Sequence, residues 1–144
     1  MNQPQSPRTV IERYYDEVWE KRRPDEIPSL FAAGYVNHAG ARGTLSGPEG
    51  IRTNYQSLVS AFPDVRFMLD DLLVDGAKVV VRYTMYGTHL GQFQEFAPSG
   101  RQVVVPGIGI YMVKDGQIQE SWVVRDSLLL IRQLNGEILA TKQF

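Results

Sequence analysis

The feature that most constrains the fold is a change of hydrophobic periodicity near Val65. Before this residue, apolar side chains such as Val10 and Tyr14 recur at four-residue spacing, which is typical of amphipathic helices. After it, stretches rich in Val, Tyr and Thr are separated by turn sequences such as Asp75-Gly76 and Lys114-Asp115-Gly116, which predict hairpin-linked strands. We therefore expect an α+β domain, with three N-terminal helices packed on one face of a curved antiparallel sheet.

Signals at the helix ends divide the first part of the chain into three helices. Ser6-Pro7 combines a capping residue with proline at the first helical position and begins the first helix, which ends at Pro24. A shorter second helix should stop at Gly34, because glycine is favoured just after a helix. Gly47-Pro48 begins a third helix, and Pro63 closes it.

The second part of the chain predicts a sheet followed by one more helix. We expect strands over 66–74, 78–89, 101–113 and 117–125, a weaker extended piece over 92–96, and a short helix over 127–134. A curved sheet with helices across its concave side would enclose a cavity between them.

Length and composition exclude several classes of protein. With 144 residues, no repeat and no linker, we expect one domain over 1–144, with its core at about 7–134. The chain has no cysteine, which excludes disulfides and thiolate chemistry. Its net charge of −1, with both signs interspersed, argues against a nucleic-acid partner. The polar N-terminus and the lack of a long apolar run predict a cytoplasmic protein with no membrane partner.

Asp126 is the first candidate for chemistry. Alternation along the last strand groups five residues on its more apolar face, which we assign to the interior: Ile118, Glu120, Trp122, Val124 and Asp126. In an apolar pocket, desolvation disfavours the charged form of a carboxyl group and suits it to proton transfer. The alternative is that Asp126 caps the helix that begins at Ser127.

His38, His89 and Arg82 are further candidates. Either histidine could be an acid/base or a substrate hydrogen-bonding group, since histidine titrates near neutral pH; either could equally be a polar loop residue with its own partners. Arg82 interrupts an apolar strand, so it either pairs with an acid across the sheet or fixes a substrate carbonyl. The two histidines lack convergent metal-ligand spacing, and we assign neither a metal nor any other cofactor.

Aromatic and aliphatic side chains supply the candidates for substrate binding. Most of them should be core residues, but some should line the cavity beside Arg82. The candidates are Tyr15, Trp19, Tyr55, Phe62, Ile108, Ile110 and Trp122.

The order of several short segments resembles the SnoaL-like polyketide cyclases. The segments are Tyr14-Tyr15-Asp16-Glu17-Val18-Trp19, Tyr35-Val36-Asn37-His38, Gly47-Pro48-Glu49-Gly50-Ile51, Ala61-Phe62-Pro63-Asp64, Gly87-Thr88-His89-Leu90-Gly91 and Glu120-Ser121-Trp122 with Asp126. The resemblance implies the nuclear-transport-factor-two-like fold, a homodimer through the sheet, and ring closure by aldol condensation without metal or organic cofactor. It also places the family's general acid/base on Asp126 and a common family histidine on His38.

Three functions therefore stay open. The first is a cyclase in which Asp126 moves a proton on a hydrophobic carbonyl substrate while His38 or His89, with Arg82, polarises a carbonyl. The second is a pocket protein that binds a small apolar molecule without catalysis. The third is an isomerase or epoxide hydrolase of the same fold, which would need a second carboxylate beside Arg82, such as Asp71 or Glu120.

Overall fold

A computed structural model describes residues 3–38 and 46–140 of the chain. The chain forms helix α1 (Pro7–Arg13), a π-helix (Tyr14–Glu20), a 3-10 turn (Pro24–Glu26), helix α2 (Ile27–Leu30), strand β1 (Phe31–Asn37), helix α3 (Pro48–Ala61), strands β2 (Arg66–Asp75), β3 (Lys78–Thr88), β4 (Gln102–Lys114) and β5 (Gln117–Arg125), and helix α4 (Ser127–Leu134). The predicted α+β fold, with helices against a curved sheet, is confirmed. Among the described residues, no helix is long and apolar enough to cross a membrane.

The first helix begins where the sequence predicts. The Ser6 hydroxyl accepts a hydrogen bond from the Thr9 amide at 3.2 Å, so one of the free N–H groups of the first turn is satisfied. After Arg13 the helix continues with the wider turns of a π-helix. The guanidinium of Arg22 then donates to the carbonyl oxygens of Trp19, Pro63 and Val65, which fixes the end of the π-helix to the start of β2.

The second helix is shorter than predicted because a strand follows it. Helix α2 is a single turn, and the segment expected to be helical as far as Gly34 is β1 instead. This strand pairs in parallel with β5, with Phe31 opposite Ile118 and Asn37 opposite Ser121. Pairing with a distant strand decides the local structure here. The extended piece predicted over 92–96 is reduced to one bridge between Phe93 and Phe96.

The sheet has the strand order β1-β5-β4-β3-β2 and is antiparallel except for the β1–β5 pair. Asp115 and Gly116 have φ angles of 54° and 75°, as a tight two-residue hairpin turn requires. The predicted hairpin between β4 and β5 is therefore confirmed. Edge strands β1 and β2 lie at opposite sides of the sheet.

A bulge in β5 reverses which side chains face the helices. Met112 pairs with Glu120 but Val113 pairs with Ile118, so Gln119 is an extra residue on β5. One extra residue moves every later side chain to the opposite face. Ile118 and Ser121 are both buried, whereas Trp122 is 37% exposed.

The prediction that Trp122, Val124 and Asp126 face the interior is therefore wrong. Val124 is 70% exposed, and Asp126 is also exposed. The bulge at Gln119 is the cause, because simple alternation along β5 holds only as far as Ile118.

The core lies between the helices and the concave face of the sheet. Helix α1, the π-helix and α3 contribute Val10, Val18 and Leu58, and the sheet contributes Val81 and Val105. Helix α4 closes one end of this layer through the buried side chain of Gln133, which bonds to β4.

Candidate functional site

A cavity of about 440 Å³ lies between the helices and the concave face of the sheet. Its wall is rich in hydroxyl groups rather than purely apolar. Five tyrosines line it, namely Tyr14, Tyr15, Tyr35, Tyr83 and Tyr111. Five other polar residues also line it, namely Asn37, Asn54, Ser121, Arg125 and Ser127.

Hydrogen bonds between side chains from different elements hold the tyrosines in place. The hydroxyls of Tyr15, on the π-helix, and Tyr111, on β4, are 2.6 Å apart. The hydroxyls of Tyr35, on β1, and Ser121, on β5, are 2.5 Å apart. Burial raises the pKa of Tyr15, Tyr35 and Tyr111 above the usual tyrosine value. These hydroxyls therefore stay protonated at neutral pH, and in each pair the hydroxyl that accepts keeps its own proton to donate to a ligand oxygen.

Glycine at position 107 makes room for one of these rings. Gly107 lies on the concave face of β4, opposite Tyr83 on β3 and Arg125 on β5. A Cβ atom at this position would overlap the end of the Tyr83 ring. Because β4 has no side chain there, the Tyr83 hydroxyl can lie across the strand beside Arg125.

Among the described residues that line the cavity, Arg125 is the charged one. The last residue of β5, it is half-buried, and its Nη1 atom donates to the Met85 sulfur at 3.2 Å. Within residues 3–38 and 46–140, no carboxylate pairs with this guanidinium. Burial raises the pKa of Tyr83, and the positive charge of Arg125 partly offsets that rise. A half-buried guanidinium without an acid partner favours a ligand oxygen that carries or develops negative charge.

Asp126 caps helix α4. Its Oδ1 atom accepts a hydrogen bond from the Leu129 amide at 3.0 Å, so the capping alternative is confirmed. The side chain is exposed, so its carboxyl group is not removed from water as the sequence analysis expected. Its neighbours on both sides, Arg125 and Ser127, line the cavity while Asp126 does not.

His38 lies on the outer face of the sheet, away from the cavity. Its Nε2 atom is 2.8 Å from a carboxylate oxygen of Glu120, and its ring stacks on Trp122 with 4.6 Å between ring centroids. The ammonium of Lys78 lies 5.6 Å from the centre of the same indole. His38 and Trp122 thus belong to a surface cluster.

His89 is fully buried at the far end of β3. Its Nδ1 atom accepts a hydrogen bond from the Ser99 amide at 3.2 Å, and its ring packs against Phe62 at 5.5 Å. Its Nε2 atom has no partner among the described residues. Neither His89 nor Phe62 lines the cavity.

Arg82, Ile108 and Ile110 also face outward. Arg82 donates two hydrogen bonds to one oxygen of Asp71, at 2.8 and 3.0 Å, as the cross-sheet alternative predicted. The expectation that Ile108 and Ile110 line the cavity is wrong, because the concave-face positions of β4 next to them are Gly107 and Gly109. The carboxylate beside Arg82 is likewise on the outer face, so the arrangement required of an isomerase or epoxide hydrolase does not form in the cavity.

Two of the predicted binding residues line the cavity, and others were missed. Tyr15 and Trp19 are in its wall, whereas Tyr55 is in the core, with its ring tilted against Trp19 at 5.1 Å between ring centroids. The sequence reasoning missed Arg125 and the tyrosines of β1, β3 and β4. The sequence signal that could have indicated the tyrosines was the alternation Gly107-Ile108-Gly109-Ile110, since glycines on the concave face leave space for large rings.

The family model of the SnoaL-like polyketide cyclases matches the chain over residues 9–134. The chain belongs to the SnoaL-like polyketide cyclase family. This match runs from within α1 to the end of α4, so it includes the whole sheet and every described residue that lines the cavity. Among the described residues, no three histidine or acidic side chains lie close enough to hold a metal ion.

Solved structures similar to this SnoaL-like chain agree with the assignment. TsrD from Streptomyces laurentii is 28% identical, with a TM-score of 0.80, over 88% of this chain and 92% of that one. IdmH from Streptomyces antibioticus, a candidate polyketide cyclase, is 27% identical, with a TM-score of 0.79, over 91% and 99%. AclR from Streptomyces galilaeus, a candidate hydroxylase, shares the fold at 18% identity and a TM-score of 0.79, over 95% of this chain and 85% of that one. No curated protein matches the chain.

Proposed function

We propose that this SnoaL-like protein binds an apolar carbonyl compound in the tyrosine-lined cavity and closes a ring in it by an intramolecular aldol reaction. The observation that carries the proposal is Arg125, a half-buried guanidinium in the cavity wall for which the described residues offer no acid partner. Its charge and the hydroxyl of Tyr83 converge on one region, where a ligand oxygen would lie.

The reaction needs one proton removed, one bond formed and one proton returned. A base takes a proton from a carbon flanked by two carbonyl groups. The resulting enolate carbon then attacks a second carbonyl carbon of the same molecule, forming a C–C bond, and the new alkoxide oxygen takes up a proton. Arg125 and protonated tyrosine hydroxyls stabilise the negative charge on oxygen in both steps. The cavity contributes further by holding the two reacting carbons together, which can be worth about 7–11 kcal/mol.

Asp126 is our proposed base, acting at the mouth of the cavity. Its Oδ1 atom is used by the helix cap, but Oδ2 has no partner among the described residues. The two residues that flank it line the cavity. An exposed carboxylate at this position can accept a proton from a carbon acid that projects from the mouth and release it to water.

The exchange Asp126→Asn tests this role without removing the cap, because asparagine caps helices as well as aspartate. We expect product formation from a panel of β-polyketone esters to fall by about 10²–10⁴-fold, with the melting temperature nearly unchanged. Product is measured by liquid chromatography and mass spectrometry. Asp71→Asn, an exposed carboxylate on the outer face, is the matched control and should keep full turnover. Equal turnover in wild type and Asp126→Asn would remove the catalytic role of Asp126.

A non-catalytic binding protein is the second candidate, and one observation favours it. Among the described residues, no aspartate, glutamate or histidine lines the cavity. If panel compounds bind to the wild type with the same affinity as to Asp126→Asn, and no product forms with either, binding alone is the function.

We also propose that the protein is a homodimer through the outer face of the sheet. Ile108 pairs with Val124 and Ile110 pairs with Trp122 across β4 and β5, so these four side chains form one continuous apolar patch. Their exposed fractions are 47%, 70%, 37% and 37%. Contiguous exposed apolar surface of this kind marks interaction sites. Acidic and basic side chains border the patch, namely Asp71, Arg82, Lys78 and Glu120, so a two-fold axis can pair opposite charges.

Light scattering coupled to gel filtration checks the dimer. The wild type should elute with twice the 16.3 kDa mass of one chain. Ile108→Asp should give the monomer mass, since a carboxylate would be buried without a partner in the interface. Leu90→Asp is the control, because Leu90 is 58% exposed away from the patch and its replacement should leave the dimer intact. A wild-type monomer at micromolar concentration would disprove the proposal.

A further inference from the structure

We propose that the cavity continues past the ring of Phe67 into a second groove, and that this groove holds an uncharged apolar arm of the ligand. The proposal rests on the proposed function for the other end of the ligand, whose oxygen would lie beside Arg125. It defines the substrate class as an elongated molecule with an oxygen-bearing head and an apolar arm.

The groove has a volume of about 320 Å³ and lies between the first helix and edge strand β2. Tyr15 and Phe67 line both the groove and the cavity, so the two spaces share these rings as a wall. Met68 and Leu69 of β2 also line the groove. Leu69, like Phe67, packs against the core, whereas Met68 is 41% exposed. A ligand arm that passed this wall would bury methylene groups on the other side.

Phe67 is the ring that can turn aside. Tyr15 is 7% exposed and is anchored to Tyr111 by the 2.6 Å hydrogen bond between their hydroxyls. Phe67 has no polar atom to anchor it and is only partly buried. Its contacts are with other rings, at centroid distances of 4.8 Å to Trp19 and 5.3 Å to Tyr83. Rotation of this side chain on an edge strand would join the two spaces while Tyr15 keeps its place.

The charges around the groove select against an anionic arm. Three carboxylates line it, from Glu12, Asp16 and Glu20, against one guanidinium, from Arg66. Arg66 is already engaged, since it donates to both oxygens of Glu20 at 2.9 and 3.3 Å. The other two carboxylates are paired as well, Glu12 with Arg8 at 3.5 Å and Asp16 with Lys21 at 3.0 Å. A carboxylate or phosphate at the end of the arm would therefore lose its water shell without finding a free cation among the described groove residues, whereas a methyl-ended arm would not.

A series of 4-alkoxybenzoates, from methoxy to octyloxy, tests the groove. The carboxylate serves as the head for Arg125 and the alkyl chain as the arm, and titration calorimetry gives each dissociation constant. Each buried methylene adds roughly fourfold in affinity, so we expect octyloxybenzoate to bind the wild type about fiftyfold or more tightly than methoxybenzoate. In Met68→Glu the ratio should fall to a few-fold, because the variant adds charge to the groove. Leu73→Glu is the matched control on the same strand, at a leucine that is 63% exposed and outside the groove, and should keep the wild-type ratio.

The outcomes separate this proposal from the proposed function. If methoxybenzoate binds but the ratio is the same in Met68→Glu as in wild type, the arm does not use the groove and the inference is overturned while the head site stands. If only the long probes bind, and Met68→Glu weakens them, the groove stands without the Arg125 head site. If no probe binds, both fail. A probe of octyloxy length that ends in a carboxylate should bind at least tenfold more weakly than octyloxybenzoate, and equal affinity would overturn the charge selection.

Discussion

Exchanging Arg125 for glutamine should lower kcat/KM for ring closure by about a hundredfold to a thousandfold. Loss of one preorganised donor to a developing oxyanion typically costs this much, and glutamine keeps hydrogen-bonding capacity while removing the charge. The effect should appear in kcat, because the negative charge on oxygen develops in the transition state. It is measured on whichever β-polyketone ester the wild type converts.

The matched control is Arg82→Gln. Arg82 lies on the neighbouring part of the same sheet, but its side chain faces outward and pairs with Asp71 at 2.8 Å. This control should retain wild-type kcat/KM. If Arg125→Gln converts substrate as fast as Arg82→Gln does, the Arg125 guanidinium has no part in the reaction. Affinity for methoxybenzoate gives a separate readout and should fall in Arg125→Gln even if the protein proves to bind without catalysis.

Local signals were sufficient for the boundaries of several elements. The Ser6-Pro7 start of α1, the Gly47-Pro48 start of α3 and the Asp115-Gly116 turn are all where the sequence predicts them. Each depends on the chemistry of two or three adjacent residues, namely a capping oxygen, a fixed φ angle, or tolerance of positive φ. Signals that depend only on two or three adjacent residues can be read directly from the sequence.

Strand faces and distant pairings could not be read in the same way. The bulge at Gln119 depends on how β4 and β5 pair, and one extra residue was enough to turn Trp122 outward and Arg125 inward. Strand β1 exists because β5 is available beside it. The residues of the candidate site were therefore predicted less well than the fold that carries them.

Asp126 shows how one residue can satisfy two interpretations of the sequence. A carboxylate at the end of a strand and just before a helix is both a good cap and a candidate base, and the cap uses only one of its two oxygens. The residues on either side of Asp126, namely Arg125 and Ser127, line the cavity. Arg125 and Asp126 are consecutive residues, and because side chains alternate along the strand end, Arg125 faces the cavity while Asp126 faces outward.

Exchanging Gln133 for leucine should lower the free energy of unfolding by about 2–6 kcal/mol, since two backbone groups would each lose a hydrogen bond at about 1–3 kcal/mol. Gln133 is 3% exposed. Its amide donates to the Val104 carbonyl and accepts from the Val104 N–H, both at 3.0 Å. Strand β5 ends opposite Gly107, so this side chain takes the place of a neighbouring strand at Val104 and attaches α4 to the sheet.

Urea unfolding followed by circular dichroism measures this loss, and Gln102→Leu is the control. Gln102 is an exposed glutamine on the same strand, and its exchange should change the free energy of unfolding by less than about 0.5 kcal/mol. A Gln133→Leu variant as stable as that control would show that the bonds to Val104 contribute nothing.

The exchange Gln133→Glu adds a pH dependence whose sign follows from the same geometry. A carboxylate buried against the Val104 carbonyl resists ionisation, so its pKa in the folded state should lie above the unfolded value of about 4.3. The protonated acid can donate to that carbonyl as glutamine does. The stability difference from wild type should therefore be small below pH 4 and should grow as the pH rises through the unfolded pKa, until the folded group also ionises. A difference that stayed constant from pH 4 to pH 8 would show that the side chain leaves Val104 and reaches water.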